Sequence, residues 1–202
     1  MKKLLIIADP AHGIDVPGKR SPDGRHREYL WSRDMWERLY PRLLELGYIV
    51  EFTTTADNEP GLTARVKAAE KISTRNKTLV PLFISLHNDA AGDGTKWMQA
   101  RGISVWTSKG RTRSDIFADE MIKALNVVTK NRTKMRTYSP TVQEQDFEAN
   151  FHVLMGNYNA MLIECCFQDN KEDVALLQSS EFCALLLDAI VQGIENINNS
   201  IK

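Results

Sequence analysis

Three apolar runs in this chain each end on a side chain able to bind a metal ion or move a proton. Leu4-Leu-Ile-Ile-Ala8 leads into Asp9-Pro-Ala-His12-Gly13, residues 78–86 lead into His87-Asn88-Asp89, and Ala160-Met-Leu-Ile163 leads into Glu164. Short continuous apolar runs of this kind read as strands buried on both faces. In an open α/β sheet, ligands bind in the crevice outside the carboxyl ends of the strands. His12, His87 and Glu164 would therefore converge although they lie far apart in sequence. Two neutral imidazoles and one carboxylate are the donor set of a catalytic zinc that keeps its fourth position for water. The acid is either Glu28, at the end of a long loop, or Glu164. With both present, one ligates the metal and the other takes a proton from water.

The elements that must position these residues alternate. Residues 10–27 form a loop rich in Gly, Pro and charge, which ends on Glu28 as a helical pattern begins over Leu30, Trp31, Leu39, Tyr40, Leu43, Leu44 and Leu46. Gly47 stands as its stop signal, and Pro41 predicts a kink or a break. Residues 48–53 read as a strand, 61–72 as a helix leading to the strand that ends at His87, 102–107 as a strand and 113–128 as a helix. Residues 129–152 carry a basic run (Lys130, Arg132, Lys134, Arg136), then a polar, acidic one (Gln143, Glu144, Gln145, Asp146, Glu148), and read as a long loop over the site. A strand over 160–163, a short segment over 169–173 and a terminal helix carrying Phe182, Leu185, Leu186, Ile190, Val191 and Ile194 complete the chain. This order predicts one α/β catalytic domain over residues 1–202, a mostly parallel twisted sheet with helices on both faces and right-handed crossovers.

Bulk properties narrow the function. With 202 residues, 43% hydrophobic and 26% charged, the chain has the make-up of one globular domain. Lys plus Arg and Asp plus Glu each total 26, so the net charge is zero and no global field favours nucleic acid or an anionic membrane. The apolar stretch after Met1-Lys-Lys is about five residues, against the roughly 7–15 of a signal-peptide core, and is expected to be the first strand. No run approaches the length of a membrane span, so membrane insertion is not expected. Cys165, Cys166 and Cys183 resemble no disulfide framework and suit a reducing compartment.

Taken together, Asp9-Pro-Ala-His12-Gly13, Glu28 ahead of a helix, Phe83-Ile-Ser-Leu-His87-Asn88-Asp89-Ala90, and Leu162-Ile-Glu164-Cys-Cys-Phe167-Gln-Asp-Asn170 with Asp173 resemble the zinc-dependent N-acetylmuramoyl-L-alanine amidases of the type-3 family. The motifs follow that family's order from residue 3 to about residue 196. The resemblance implies that His12, Glu28 and His87 hold Zn2+ and that Glu164 is the catalytic glutamate. It implies a peptidoglycan substrate, cleaved at the amide joining the lactyl group of N-acetylmuramic acid to L-alanine of the stem peptide. The chain also resembles the catalytic domain of phage or prophage lysis amidases, which implies accumulation in the cytoplasm until a membrane-permeabilising partner gives access to the wall. Two positions depart from the pattern. Ala11 stands where glycine is usual, which the turn tolerates if its backbone is not left-handed. Cys166 also replaces a usual glycine, and strand alternation puts its side chain on the face of Glu164.

Plainer readings stand beside these. His26 competes with Glu28 as a ligand or, between Arg25 and Arg27, reads as a solvated loop tip, and His152 supports a ligand, contacts substrate or is simply exposed. Asp9 either holds the second nitrogen of His12 or caps a turn, and Asn88 and Asp89 share that ambiguity. Trp31 and Trp36 sit in helix-periodic sequence and read as core, leaving Trp97 and Trp106 as candidates for sugar stacking. The basic run is a solvated face or a grip for an anionic group. Two other functions use the same residues. A wall-binding module could retain zinc without turnover, although it has no need of Glu164, and a zinc peptidase or deacetylase would differ from an amidase only in the bond it breaks.

Overall fold

Period-two alternation along β1 (Leu4–Pro10) and β3 (Val80–Asp89) sends successive apolar side chains to opposite faces of one sheet, and helices cover both. The computed structural model describes residues 2–138 and 145–201. The remaining strands and α-helices are α1 (Glu28–Glu45), β2 (Ile49–Phe52), α2 (Leu62–Arg75), β4 (Ser104–Thr107), α3 (Arg113–Thr129), β5 (Phe147–Glu148), β6 (Asn159–Phe167), α4 (Lys171–Leu177) and α5 (Ser180–Ser200), with a 3-10 turn over His152–Leu154. Among the described residues the strands make one sheet in the order β2-β1-β3-β6-β4-β5. The first four are parallel, β4 runs antiparallel to β6, and β5 pairs parallel to β4. One face packs Leu4, Ile6 and Ala8 against residues such as Trp36, Met121 and Ile190 of α1, α3 and α5. The other packs Leu5, Ile7, Phe83 and Leu162 against Ala69 and Ile72 of α2. The predicted α/β class and its two-sided cover are what the structure shows.

The topology explains where a crevice opens. After β1 the chain crosses one face through α1 and pairs β2 on one side of β1. After β2 it crosses the other face through α2 and pairs β3 on the opposite side. The connections leaving the carboxyl ends of β1 and β3 thus part, which is the switch point where ligands bind in open sheets.

Several expectations need correction. Of the kink or break expected at Pro41, the break does not occur: α1 continues through it. A proline inside a helix costs about 3 kcal/mol, and the burial of Met35, Trp36, Leu39 and Leu43 around it offsets that cost. The last strand extends to Phe167, so Glu164 lies inside β6 and not after it. The terminal helical region is two helices, the second capped by Ser179, whose side chain accepts from Phe182 N–H. Residues 129–152 are not a simple loop: Met135 bridges to Ile103, and β5 pairs with β4 beneath a Trp106–Phe147 stack with ring centroids 4.9 Å apart. A two-residue strand is too short to leave a periodic signal. Gln143 and Glu144 lie outside the described residues. Among the described residues, no single helix is long and apolar enough to cross a membrane.

Candidate active site

Each polar side chain of the site is delivered at or near the carboxyl end of a strand or the start of a helix. His12 follows β1 in a left-handed conformation, φ 50°. Arg33 Nη2 and Arg65 Nη2 both donate to its carbonyl, at 3.0 and 3.2 Å, which secures that strained geometry. Beside it, a side chain at Gly13 would strike the backbone of Glu59 at 2.1 Å, so only glycine fits. Ala11 is not left-handed, and its N–H donates to Ser32 Oγ at 2.8 Å. The usual glycine is therefore dispensable there. Glu28 opens α1, where the positive end of the helix dipole favours a carboxylate. His87 and Glu164 sit directly opposite one another on the paired strands β3 and β6.

These side chains line one cavity of about 490 Å³, walled also by Asp9, Lys19, Arg65 and Phe151. His87 Nδ1 lies 2.9 Å from Glu28 Oε1, and His12 Nε2 lies 3.3 Å from the same oxygen. The two imidazoles meet edge to face, centroids 4.9 Å apart. One ligand atom from each of His12, Glu28 and His87 falls within 4.8 Å of the others. His12 Nε2 is buried and makes no hydrogen bond. An unpartnered imidazole nitrogen beside a second imidazole and a carboxylate is the donor arrangement that one divalent cation satisfies. Glu28 is held from outside this triad, with Oε1 accepting from Asn88 N–H at 3.0 Å and Oε2 from Gln168 Nε2 at 2.9 Å.

The two glutamates are driven apart electrostatically. Burial alone would raise the Glu28 carboxyl, but the close approach of the His12 and His87 imidazoles and their charge hold it well below the usual carboxylate range. Burial also depresses His87, and its bond to Glu28 outweighs this and raises it. Glu164 lacks such a partner: its Oε2 is buried without a hydrogen bond, and burial raises the carboxyl to about 8 against the pull of His87. A carboxyl raised in the folded state contributes stability below its ordinary 4.5 that is lost as pH climbs toward 8. Metal-free Glu164→Gln, which cannot ionise, should therefore melt above the metal-free native protein at about pH 8 and lose that advantage by about pH 5. Thermal melts in chelator test this, and a gap independent of pH would refute it.

Other candidates land elsewhere. Asp9 does not touch His12: its Oδ1 accepts from Arg65 Nη1 at 2.8 Å and from Thr53, and its Oδ2 from Ser85 Oγ at 2.6 Å. His26 is not a solvated tip but 4% exposed, donating from Nε2 to Asn88 Oδ1 at 2.7 Å, with burial lowering its pKa. Asn88 is thereby structural, as it also donates from Nδ2 to Cys165 O. Asp89 pairs with Arg136 of the basic run at 2.7 Å. His152 is exposed, 3.5 Å from Thr63 Oγ1. Trp31 and Trp36 are core, Trp106 is covered by Phe147 and Phe151, and Trp97 sits beside Lys171. Cys166 does not reach the site. An extra residue on β6 between Glu164 and Phe167 breaks the alternation, and Cys166 adopts φ 67° and packs into the core. That left-handed angle accounts for the glycine usual there. All three cysteines are free and buried. Asn170 caps α4 and Asp173 ties Gly102 N–H to Phe167 N–H, so the end of the last motif is architectural. Sequence reading gave no role to Arg33, Arg65 or Gln168, although Gln168 lies inside the Phe167-Gln-Asp-Asn170 motif.

Known proteins share this architecture. No curated protein matches the chain. The N-acetylmuramoyl-L-alanine amidase from Clostridium difficile 630 superposes with a TM-score of 0.81 at 24% identity, covering 100% of this chain and 99% of that one. The catalytic domain of CwlV, an N-acetylmuramoyl-L-alanine amidase from Bacillus (Paenibacillus) polymyxa var. colistinus, gives 0.75 at 22%, covering 96% and 97%. The CwlD amidase from Clostridioides difficile, solved in complex with the GerS lipoprotein, gives 0.76 at 19%, covering 96% and 98%. At such identities these likenesses speak for the fold. A family model described as N-acetylmuramoyl-L-alanine amidase matches residues 6–196. That span contains the whole cavity floor, and the chain belongs to the N-acetylmuramoyl-L-alanine amidase family and is an enzyme of that activity.

Proposed function

We propose that this amidase is zinc-dependent, with His12, Glu28 and His87 holding the ion and Glu164 acting as general base on the lactyl–alanine amide of peptidoglycan. The observation that carries the division of roles is the contrast between the glutamates. Glu28 is locked between two histidines with both oxygens engaged, whereas Glu164 faces the same cavity with a free Oε2. When bound, zinc supplies Lewis acidity, which polarises a carbonyl and acidifies water. Glu164 takes the proton of the attacking water and returns it to the leaving alanine nitrogen as the C–N bond breaks, leaving a lactyl carboxylate. Burial holds its carboxyl above the ordinary carboxylate range, which favours the protonated form needed to hand the proton to the leaving nitrogen. Asp9 and Arg65 are paired to each other in the cavity wall.

The choice of Zn2+ rests on the donor set, since two imidazoles with one carboxylate suit that ion. Chelation should abolish release of fragments from purified peptidoglycan, and added zinc should restore it. Mass spectrometry of the products should show stem peptides with free N-terminal alanine. Cleavage within the stem, or release of acetate, would point to the peptidase or deacetylase reading. A zinc-loaded protein that binds walls and releases nothing would point to the binding-module reading.

The same proposal extends to a phage or prophage lysis role, with the enzyme held in the cytoplasm until a membrane-permeabilising partner admits it to the wall. Its support is the likeness to lysis amidases in the sequence. Expression with and without such a partner tests it, and lysis on expression of the amidase alone would refute the need for one.

A further inference from the structure

Glu28 is 1% exposed, and its Oε1 faces His12 and His87. Its other oxygen, Oε2, accepts from Gln168 Nε2 at 2.9 Å, and Gln168 is itself 2% exposed. The same nitrogen lies 3.3 Å from Asn88 O, so both amide hydrogens have acceptors, while Gln168 Oε1 has no partner. The orientation is chemically determined: the opposite rotamer would point a carbonyl oxygen at a carboxylate and a second carbonyl with no hydrogen between them. The main chain fixes the residue as well, since Gln168 N–H donates to Asp89 O at 2.8 Å, just beyond the β6 bulge. The side chain thus reaches from the end of the last strand to the first carboxylate of α1.

We infer that Gln168 is a positioning residue for the metal-ligating carboxylate, fixing the rotation of Glu28 so that Oε1 faces the two histidines. The inference rests on the zinc reading above. A carboxylate turns about its last bond with little resistance, and a ligating one is aimed by the hydrogen bond on its other oxygen. Among the described residues, Gln168 is the side-chain donor to Glu28 Oε2. Asn88 N–H acts on Oε1 and cannot set the rotation alone.

The test is zinc affinity of the full chain by competition with a chromogenic chelator, at a temperature where circular dichroism shows each metal-free protein folded. Gln168→Met keeps the volume and removes the donor, and it should bind Zn2+ about 10–100-fold more weakly than the native protein. Gln168→Asn retains an amide that falls short of Glu28, and it should show the same loss if the methionine variant does not fold. A purely architectural role would lower the melting temperature of the metal-free protein and leave the zinc affinity unchanged, which would overturn the inference. Glu28→Ala separates the two readings. If it loses zinc while both Gln168 variants bind normally, the triad stands and the positioning role falls. If it binds zinc as the native protein does, the triad itself is wrong and the role of Gln168 falls with it.

Discussion

Glu164→Gln should keep its zinc and lose about 10²–10⁴-fold in turnover, the range that a positioned proton carrier contributes. The substitution preserves size and removes only the ability to accept a proton, so it isolates that step. The side chain stands opposite His87 on the neighbouring strand but makes no hydrogen bond through Oε2, so no ligand or structural bond depends on it. Peptidoglycan release and metal content should be read on the same preparations. Loss of turnover with stoichiometric zinc is the expected outcome. Retained turnover would mean that another group carries the proton, and loss of zinc would place Glu164 among the ligands. The variant should also gain stability in its metal-free form at alkaline pH, because an ionised carboxylate is no longer forced into a buried setting.

Arg65→Met should destabilise the protein by about 3–5 kcal/mol, the cost of leaving a buried charge without its partner. Arg65 and Asp9 are 2% and 1% exposed, and their atoms approach to 2.8 Å. The guanidinium also bonds Glu59 through Nε and Nη2, both at 2.9 Å, and the carbonyls of Pro10 at 2.6 Å and His12 at 3.2 Å. Methionine fills the space and supplies none of these donors. Asp9 would then keep only the hydroxyls of Thr53 and Ser85, and the His12 backbone would be held by Arg33 alone. Urea unfolding of the metal-free protein measures the loss, and a change below about 1 kcal/mol would show that the pair is solvated rather than buried. Adding Asp9→Leu should recover part of the loss, since removing both charges of a buried pair costs far less than removing one.

Local pattern carried a large part of this molecule. Buried strands write continuous apolar runs, and the polar residue that ends such a run marks the carboxyl edge where open sheets bind ligands, so His12 and His87 were legible without coordinates. Helix α3 was legible for a similar reason, from its apolar spacing, and the structure adds a Thr112–Asp115 capping box at its start. The family resemblance, in turn, assigned roles to two glutamates that spacing alone left interchangeable.

Tertiary structure decided the rest, and in each case through a partner distant in sequence. His26 looked solvated between two arginines, yet Asn88, 62 residues away, takes its Nε2 hydrogen in a buried bond. Asp9 read as a support for His12 or a turn cap and instead neutralises Arg65, 56 residues away. Cys166 was expected beside Glu164, but one extra residue in β6 turned it into the core. Strand periodicity is local and can be read from a few residues. Bulges, buried ion pairs and the rotation of a carboxylate depend on which elements finally pack together, and the chain carries no local record of that.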